Sequence, residues 1–260
     1  MSNAIIGVPI DSGILTESEG VAGTDQNPLS KMAGEAWISE GGAAPYLVYD
    51  LGAATSVISA GVLFVNADAT TTIRIRTATS EANLTNGSAN FDSTAIGFYH
   101  DATFSDFDRV HHLQFPDVTC QWVRVDFTHT GTLRVGRLFV SEKLQPSVNI
   151  QTGFGVANKE ETIEAKSQST VFRGVGLVAR EVSFAYWIES ADLRLIRSVV
   201  KERGFSGEVL LIIDPALSVD FLESVIYGNI AAFSYQQIFD KSATNTRWNA
   251  SLTIKETERP

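Results

Sequence analysis

Two stretches of strict alternation constrain this chain more than anything else in it. Thr72-Ile73-Arg74-Ile75-Arg76 and Trp122-Val123-Arg124-Val125-Asp126-Phe127 set apolar and polar residues on opposite sides with a period of two. That period belongs to a strand with one buried face, and it predicts that the arginines at 74 and 76 face water. Short apolar runs surround these stretches: Tyr46-Leu47-Val48-Tyr49, Val62-Leu63-Phe64-Val65, Leu133-Arg134-Val135 and Leu138-Phe139-Val140. Turn signals punctuate them, among them Asp50-Leu51-Gly52 and Asn86-Gly87. No helical period interrupts this half, so the reading is an antiparallel β-sandwich over residues 31–143. Residues 1–30, rich in Gly, Ser, Asp and Asn, are predicted to form an irregular N-terminal arm.

Lys143-Leu144-Gln145-Pro146-Ser147 breaks the pattern and marks a domain boundary, with a second domain over 147–260. There Val182-Ser183-Phe184-Ala185-Tyr186-Trp187 reads as a strand. A helix follows, with Ser190 as N-cap, Asp192 near its positive end, and a stripe of Leu193, Ile196, Val199 and Val200. Lys201, Arg203 and Gly204 suit its C-terminal end. Val209-Leu210-Leu211-Ile212-Ile213 is a strand, residues 217–227 fit either a helix or a strand, and 230–239 with 247–254 form the last two strands. The second domain is therefore α+β with one main helix, and the chain as a whole is mainly β.

Charge and chemistry narrow the function. Thirty acidic residues against twenty basic ones give a net charge of −10 over 260 residues. Most of it lies in residues 1–145, with 16 acids and 8 bases, against 14 and 12 in 146–260. An acidic surface repels phosphate and excludes sequence-specific nucleic-acid binding. Cys120 is the only cysteine, which rules out an internal disulfide or a thiolate zinc site and predicts a buried, inert thiol. No basic-then-apolar leader opens the sequence and no run approaches the roughly 20 apolar residues of a membrane span, so the expectation is synthesis in a reducing cytoplasm without membrane insertion.

No catalytic, cofactor or metal constellation emerges. Adjacent residues of a strand point to opposite faces, so His111 and His112 are poorly placed to share a metal. Asp101, Asp106 and Asp108 lack the Gly and terminal Glu of a calcium loop. Gly153-Phe154-Gly155 and Gly174-Val175-Gly176 lack the third glycine of a phosphate loop and read as bulges or tight turns. The expectation is a protein that binds or assembles and is not an enzyme. Trp37, Tyr46 and Trp122 have rings able to stack on sugars, although aromatics beside strands are mostly core.

Trp37-Ile38-Ser39 followed by Tyr46-Leu47-Val48-Tyr49-Asp50-Leu51-Gly52 resembles the early part of discoidin-like, galactose-binding-type sandwiches of jelly-roll form, and Trp122-Val123-Arg124-Val125-Asp126-Phe127 resembles their late strand. That family includes many carbohydrate binders. Those binders hold their ligands in variable loops, so the resemblance carries over no binding residue; Trp37, Tyr46, His111 and His112 are the candidate glycan contacts as loop aromatics and donors, with a host surface glycan as partner. Leu133-Arg134-Val135-Gly136-Arg137-Leu138-Phe139 running into Leu144-Gln145-Pro146 looks like a linking segment of bacteriophage tail proteins. Ile226-Tyr227-Gly228-Asn229 and Arg247-Trp248-Asn249-Ala250-Ser251-Leu252 are similar to their closing strands. This second resemblance implies a tail-tube-like assembly domain in a tail-tip or baseplate protein of the virion, of the distal-tail type. It also implies a self-associated ring of six subunits (three as the alternative) that closes by pairing the edges of the last two strands. Its other partners would be the tail tube, the hub and a receptor-binding fibre. The alternative function is a carbohydrate-binding lectin or adhesin without an assembly role.

Overall fold

The computed structural model describes residues 4–29, 35–98, 112–144, 150–160, 163–167, 170–174, 178–204, 207–213, 225–238 and 247–256. Its strands begin with β1 (Ile5–Pro9), β2 (Ile14–Glu17), β3 (Trp37–Ile38), β4 (Tyr46–Val57), β5 (Ser59–Val65) and β6 (Thr72–Ala78). Then come β7 (Phe91–Asp92), β8 (Ile96–Gly97), β9 (His112–Gln114), β10 (Val118–Thr128) and β11 (Arg134–Leu144). The remainder is β12 (Ile150–Glu160), β13 (Ile163–Ser167), β14 (Thr170–Gly174), β15 (Val178–Glu189), helix α1 (Ser190–Arg203), β16 (Glu208–Ile212), β17 (Val225–Ile238) and β18 (Arg247–Glu256). The protein is mainly β, its sheets are antiparallel, and it divides into two compact units. One is built on Pro9–Lys143; the other joins Met1–Val8 to Leu144–Glu258. Among the described residues no helix is long and apolar enough to cross a membrane.

The unit on Pro9–Lys143 is a sandwich. One sheet runs β2-β4-β10-β6-β7, with β8 also on β6. In the other, β11 pairs with β5 and, at its start, with β3, while β9 lies outside β5. The alternation of β10 decides which side is core. Val123, Val125 and Phe127 are almost fully buried against Ile73, Ile75, Leu47, Tyr49, Val135 and Leu138, leaving Trp122, Arg124 and Asp126 on the outer face. Asp50-Leu51-Gly52 does not close its strand. Gly52 takes φ +79° and donates its N–H to Asp50 Oδ1 at 2.8 Å, and β4 resumes pairing at Thr55 after the residues between have bulged out.

The expected irregular arm is corrected from Ile5 onward. Ile5, Ile6 and Gly7 pair with Ile212, Leu211 and Leu210, so β1 completes the unit whose other strands follow Leu144. Ile14–Glu17 pairs with β4 in the sandwich. The segment joining β1 and β2 is tied down by buried polar groups. Tyr49 donates its hydroxyl to the Ile10 carbonyl at 2.7 Å and accepts the Gly13 N–H at 2.9 Å. Arg137, 2% exposed, reaches Asp11 at 2.6 Å and the Leu29 carbonyl at 2.7 Å. A composition rich in turn residues concealed these long-range partners.

In the split unit the sheet order is β12-β15-β18-β17-β16-β1, and β13 with β14 forms a separate hairpin. The helix packs its Leu193 and Ile196 into the core of Phe184, Ile188, Leu252 and Ile254. Its cap differs from expectation. Glu189 occupies the N-cap without a side-chain hydrogen bond, and Ser190 instead accepts the Trp248 indole N–H at 3.1 Å. Gly204 ends the helix with φ +67° and its N–H on the Val200 carbonyl. The edge-pairing scheme for ring closure is also corrected. β18 lies between β15 and β17, and β17 between β18 and β16, so the two last strands already have partners on both sides. Residues 217–224 lie outside the described residues, and from Val225 the chain is strand.

Candidate functional site

Of the expected glycan contacts, two are core. Trp37 has no exposed surface and packs between the sheets, its indole facing the Glu17 carboxylate. Burial is the leading cause that raises the Glu17 pKa, and the indole opposes it. His112 is also fully buried. Its Nδ1–H donates to the Phe98 carbonyl at 2.8 Å and its Nε2 accepts from Gln114 Nε2 at 3.0 Å, a tautomer assigned from these partners. Gly61 allows this approach, because a Cβ there would stand 2.1 Å from the His112 carbonyl. Neither Trp37 nor His112 can touch a ligand. His111, Asp101, Asp106 and Asp108 lie outside the described residues. Tyr46 is half-buried at the start of β4, on the outer face of the sandwich.

That face carries the most reactive chemistry described in the unit, and register builds it. One row across the sheet is Ile14, Asp50, Trp122 and Ala78; the next is Thr16, Val48, Arg124, Arg76 and Asp92; the third is Tyr46, Asp126 and Arg74. Every one of these positions has the parity opposite to the core, so the face follows from the same alternation that buries Val123 and Val125. Trp122 and Tyr46 pack on a small apolar cluster of Val48, Ala78 and Leu84, the last supplied by a single turn of 3-10 helix at Glu81–Leu84.

The polar groups interlock. The Arg124 guanidinium lies over the Tyr46 ring, 3.7 Å from its centroid, and its Nε donates to Asp126 Oδ1 at 2.8 Å. Arg76 donates to Asp126 Oδ2 at 2.5 Å and to the Leu84 carbonyl. At the rim Arg74 holds Asp92 through two parallel bonds, Nε to Oδ1 at 2.8 Å and Nη2 to Oδ2 at 2.5 Å. These bonds are the main cause that holds the Asp92 carboxyl below its ordinary range. Exposure grades outward: the side chain of Arg76 is 11% exposed, Arg124 17%, Asp126 24% and Arg74 40%. Such a face offers rigid donors and acceptors around an aromatic ring, the combination that engages hydroxyl groups while stacking on a sugar's C–H surface.

Arg74, Arg76, Arg124 and Asp126 were not among the expected contacts. Their signal was present as matched parity in two alternating strands, but it reads only as exposure until the two strands are known to be neighbours. Arg76 departs even from that, since the 3-10 turn covers it. Elsewhere in the sandwich, Cys120 is fully buried and burial pushes its thiol up to about 11. Among the described residues no three His, Cys, Asp or Glu side chains gather as a metal site.

No family model matches the chain and no curated relative matches it. Solved structures do. The sandwich module CBM32-3 of a family 31 glycoside hydrolase from Clostridium perfringens covers 52% of this chain and 94% of its own at 12% identity, with a TM-score of 0.42. The Clostridium perfringens module CpGH89CBM32-5, in complex with GalNAc-β-1,3-galactose, covers 52% and 99% at 10% identity and TM-score 0.40. A fucose-binding module from Streptococcus pneumoniae covers 52% and 97% at 9% identity and TM-score 0.38.

Proposed function

We propose that the Pro9–Lys143 sandwich is a carbohydrate-binding module whose ligand sits on the outer face of the β2-β4-β10-β6-β7 sheet. The observation that carries this reading is the Tyr46–Arg124 stack, partly exposed and flanked by Trp122, Asp126 and the Arg74–Asp92 pair. The protein binds and does not transform its ligand: both oxygens of Asp126 are taken by arginines, which keeps that carboxylate from acting as a mobile acid or base. Attachment to a host surface glycan, as an adhesin or within a larger particle, is the role such a module serves. The tail-tip position in a virion, with tail tube, hub and fibre as neighbours, draws on the sequence resemblance and on none of the features of this face.

A glycan array followed by calorimetry tests the reading. Binding is expected with dissociation constants in the micromolar-to-millimolar range, and Tyr46→Ala and Arg124→Ala are each expected to weaken it tenfold or more with the fold retained. Absence of signal across a broad array would instead make the sandwich a spacer.

A further inference from the structure

Resting on the reading that this face binds carbohydrate, we infer that its ligand is an acidic sugar, held through a carboxylate by the Nη groups of Arg124. The argument is one of unequal charge. Residues 9–143 contain 16 acidic and 8 basic side chains, yet three of the eight bases, Arg74, Arg76 and Arg124, stand on this single sheet face. At its centre two guanidinium groups share one carboxylate, that of Asp126. Arg74 and Asp92 neutralise each other at the rim. Among the described residues Asp50 is the remaining acid of the face, and it is held by Gln121 Nε2 at 3.0 Å and the Gly52 N–H at 2.8 Å. It lies two residues along β4 from Val48, the residue opposite Arg124, and its hydrogen bonds go to neutral donors and not to an arginine. The bonded group of Arg76, Arg124 and Asp126, two guanidinium groups on one carboxylate, therefore carries one positive charge beside the Tyr46 ring.

A second observation points the same way. Arg76 is 9% exposed and its Nε has no hydrogen-bond partner, so the cluster is short of acceptors and not of donors. Half-buried guanidinium groups in excess of carboxylates are costly unless an anion completes them. Among the described residues Arg124 commits Nε to Asp126, leaving its Nη groups beside the aromatic ring. A carboxylate attached to a pyranose ring matches that layout: the ring stacks along Tyr46 and Trp122, and the two oxygens meet a planar fork of donors. A neutral sugar leaves the excess charge where it was.

Calorimetry of the full chain with sialyllactose, a glucuronate-containing oligosaccharide, the carboxyl-reduced form of each, and lactose separates the outcomes. The expected result is binding of at least one acidic glycan, tenfold or more tighter than its carboxyl-reduced form and weakened several-fold between 50 and 500 mM NaCl. Arg124→Gln is expected to lower that preference, and Arg74→Gln, which leaves the Asp92 carboxylate unpaired at the rim, is expected to lower it less. Which acidic glycan binds distinguishes a sialate from a uronate. Equal affinity for the acidic and reduced forms would overturn the acidic-sugar inference and leave carbohydrate binding standing. Acidic binding indifferent to both arginine variants would overturn the site. No binding of any of the five, with an array also blank, would sink the carbohydrate reading itself.

Discussion

The two units each turn one sheet face outward, and the two faces are built to opposite rules. In the sandwich the outer positions are Arg, Asp, Tyr and Trp, long side chains that lie across one another and bury much of their own surface. In the split unit the middle of the face away from α1 carries Ser183, Ala185, Ser234, Gln236, Asn249, Ser251 and Thr253, small or neutral groups that are mostly exposed, with Glu181 opposite Lys255 and Glu189 opposite Arg247 toward its ends. They frame a shallow depression of about 310 Å³ over Ala185, Ser234, Gln236, Asn249 and Ser251. Alternation alone would put both sets in water. What separates the sandwich face from the middle of the other is coupling: the arginines of the sandwich face are bonded to carboxylates across the sheet, whereas at the middle of the other face neutral groups meet, as Ser183 and Thr253 do at 3.0 Å. A coupled face is costly to disturb at any point; an uncoupled one tolerates substitution.

The sharpest way to break that contrast is Arg76→Ala, which removes one partner of a largely buried ion pair. It is expected to cost about 3 kcal/mol in denaturant unfolding, and a double-mutant cycle with Asp126→Ala should return a coupling of about 1–3 kcal/mol. If the two changes simply add, the face is no more linked than its counterpart. A smaller effect should appear with acid. Asp92 has a lowered pKa in the folded protein, so its pair with Arg74 stabilises above the ordinary aspartate value of 3.8, and that stability is lost as pH falls through the lower folded value. Thermal melts between pH 5 and 2 should show part of this loss, muted because Asp92 is about one-third exposed, and Asp92→Asn should remove that part. The smallest effects belong to the split unit: Ser251→Ala and Gln236→Ala are each expected within about 0.5 kcal/mol of the parent. A larger cost for either would mean that this face, too, is engaged.

Legibility followed range of interaction. Strand identity at 72–76 and 122–127 could be read directly, because a period of two is a local property. The helix at Ser190–Arg203 and its Gly204 end were legible for the same reason, although its N-cap moved by one residue once Ser190 was drawn to Trp248. The site was much less legible. Trp37 and His112 have the side chains of a sugar site and the positions of a core, and only β11 and β5, far away in sequence, bury them. Edge strands were the hardest to read: residues 230–238 and 247–254 look like edges because they come last, yet chain order is no guide to spatial order in an antiparallel sheet.

By itself, the sequence determined a mainly β chain with one amphipathic helix, an acidic first half, and an inert lone thiol, all properties that depend on residue type and short spacing. Tertiary structure alone decided that Ile5–Gly7 pairs with a strand some 200 residues later, and that Arg74, Arg76, Arg124 and Asp126 meet beside Tyr46. The physical reason is that alternation fixes which side of a strand a residue occupies, whereas its neighbours on that side depend on register across the sheet, and register is set by the packing of a core assembled from distant segments.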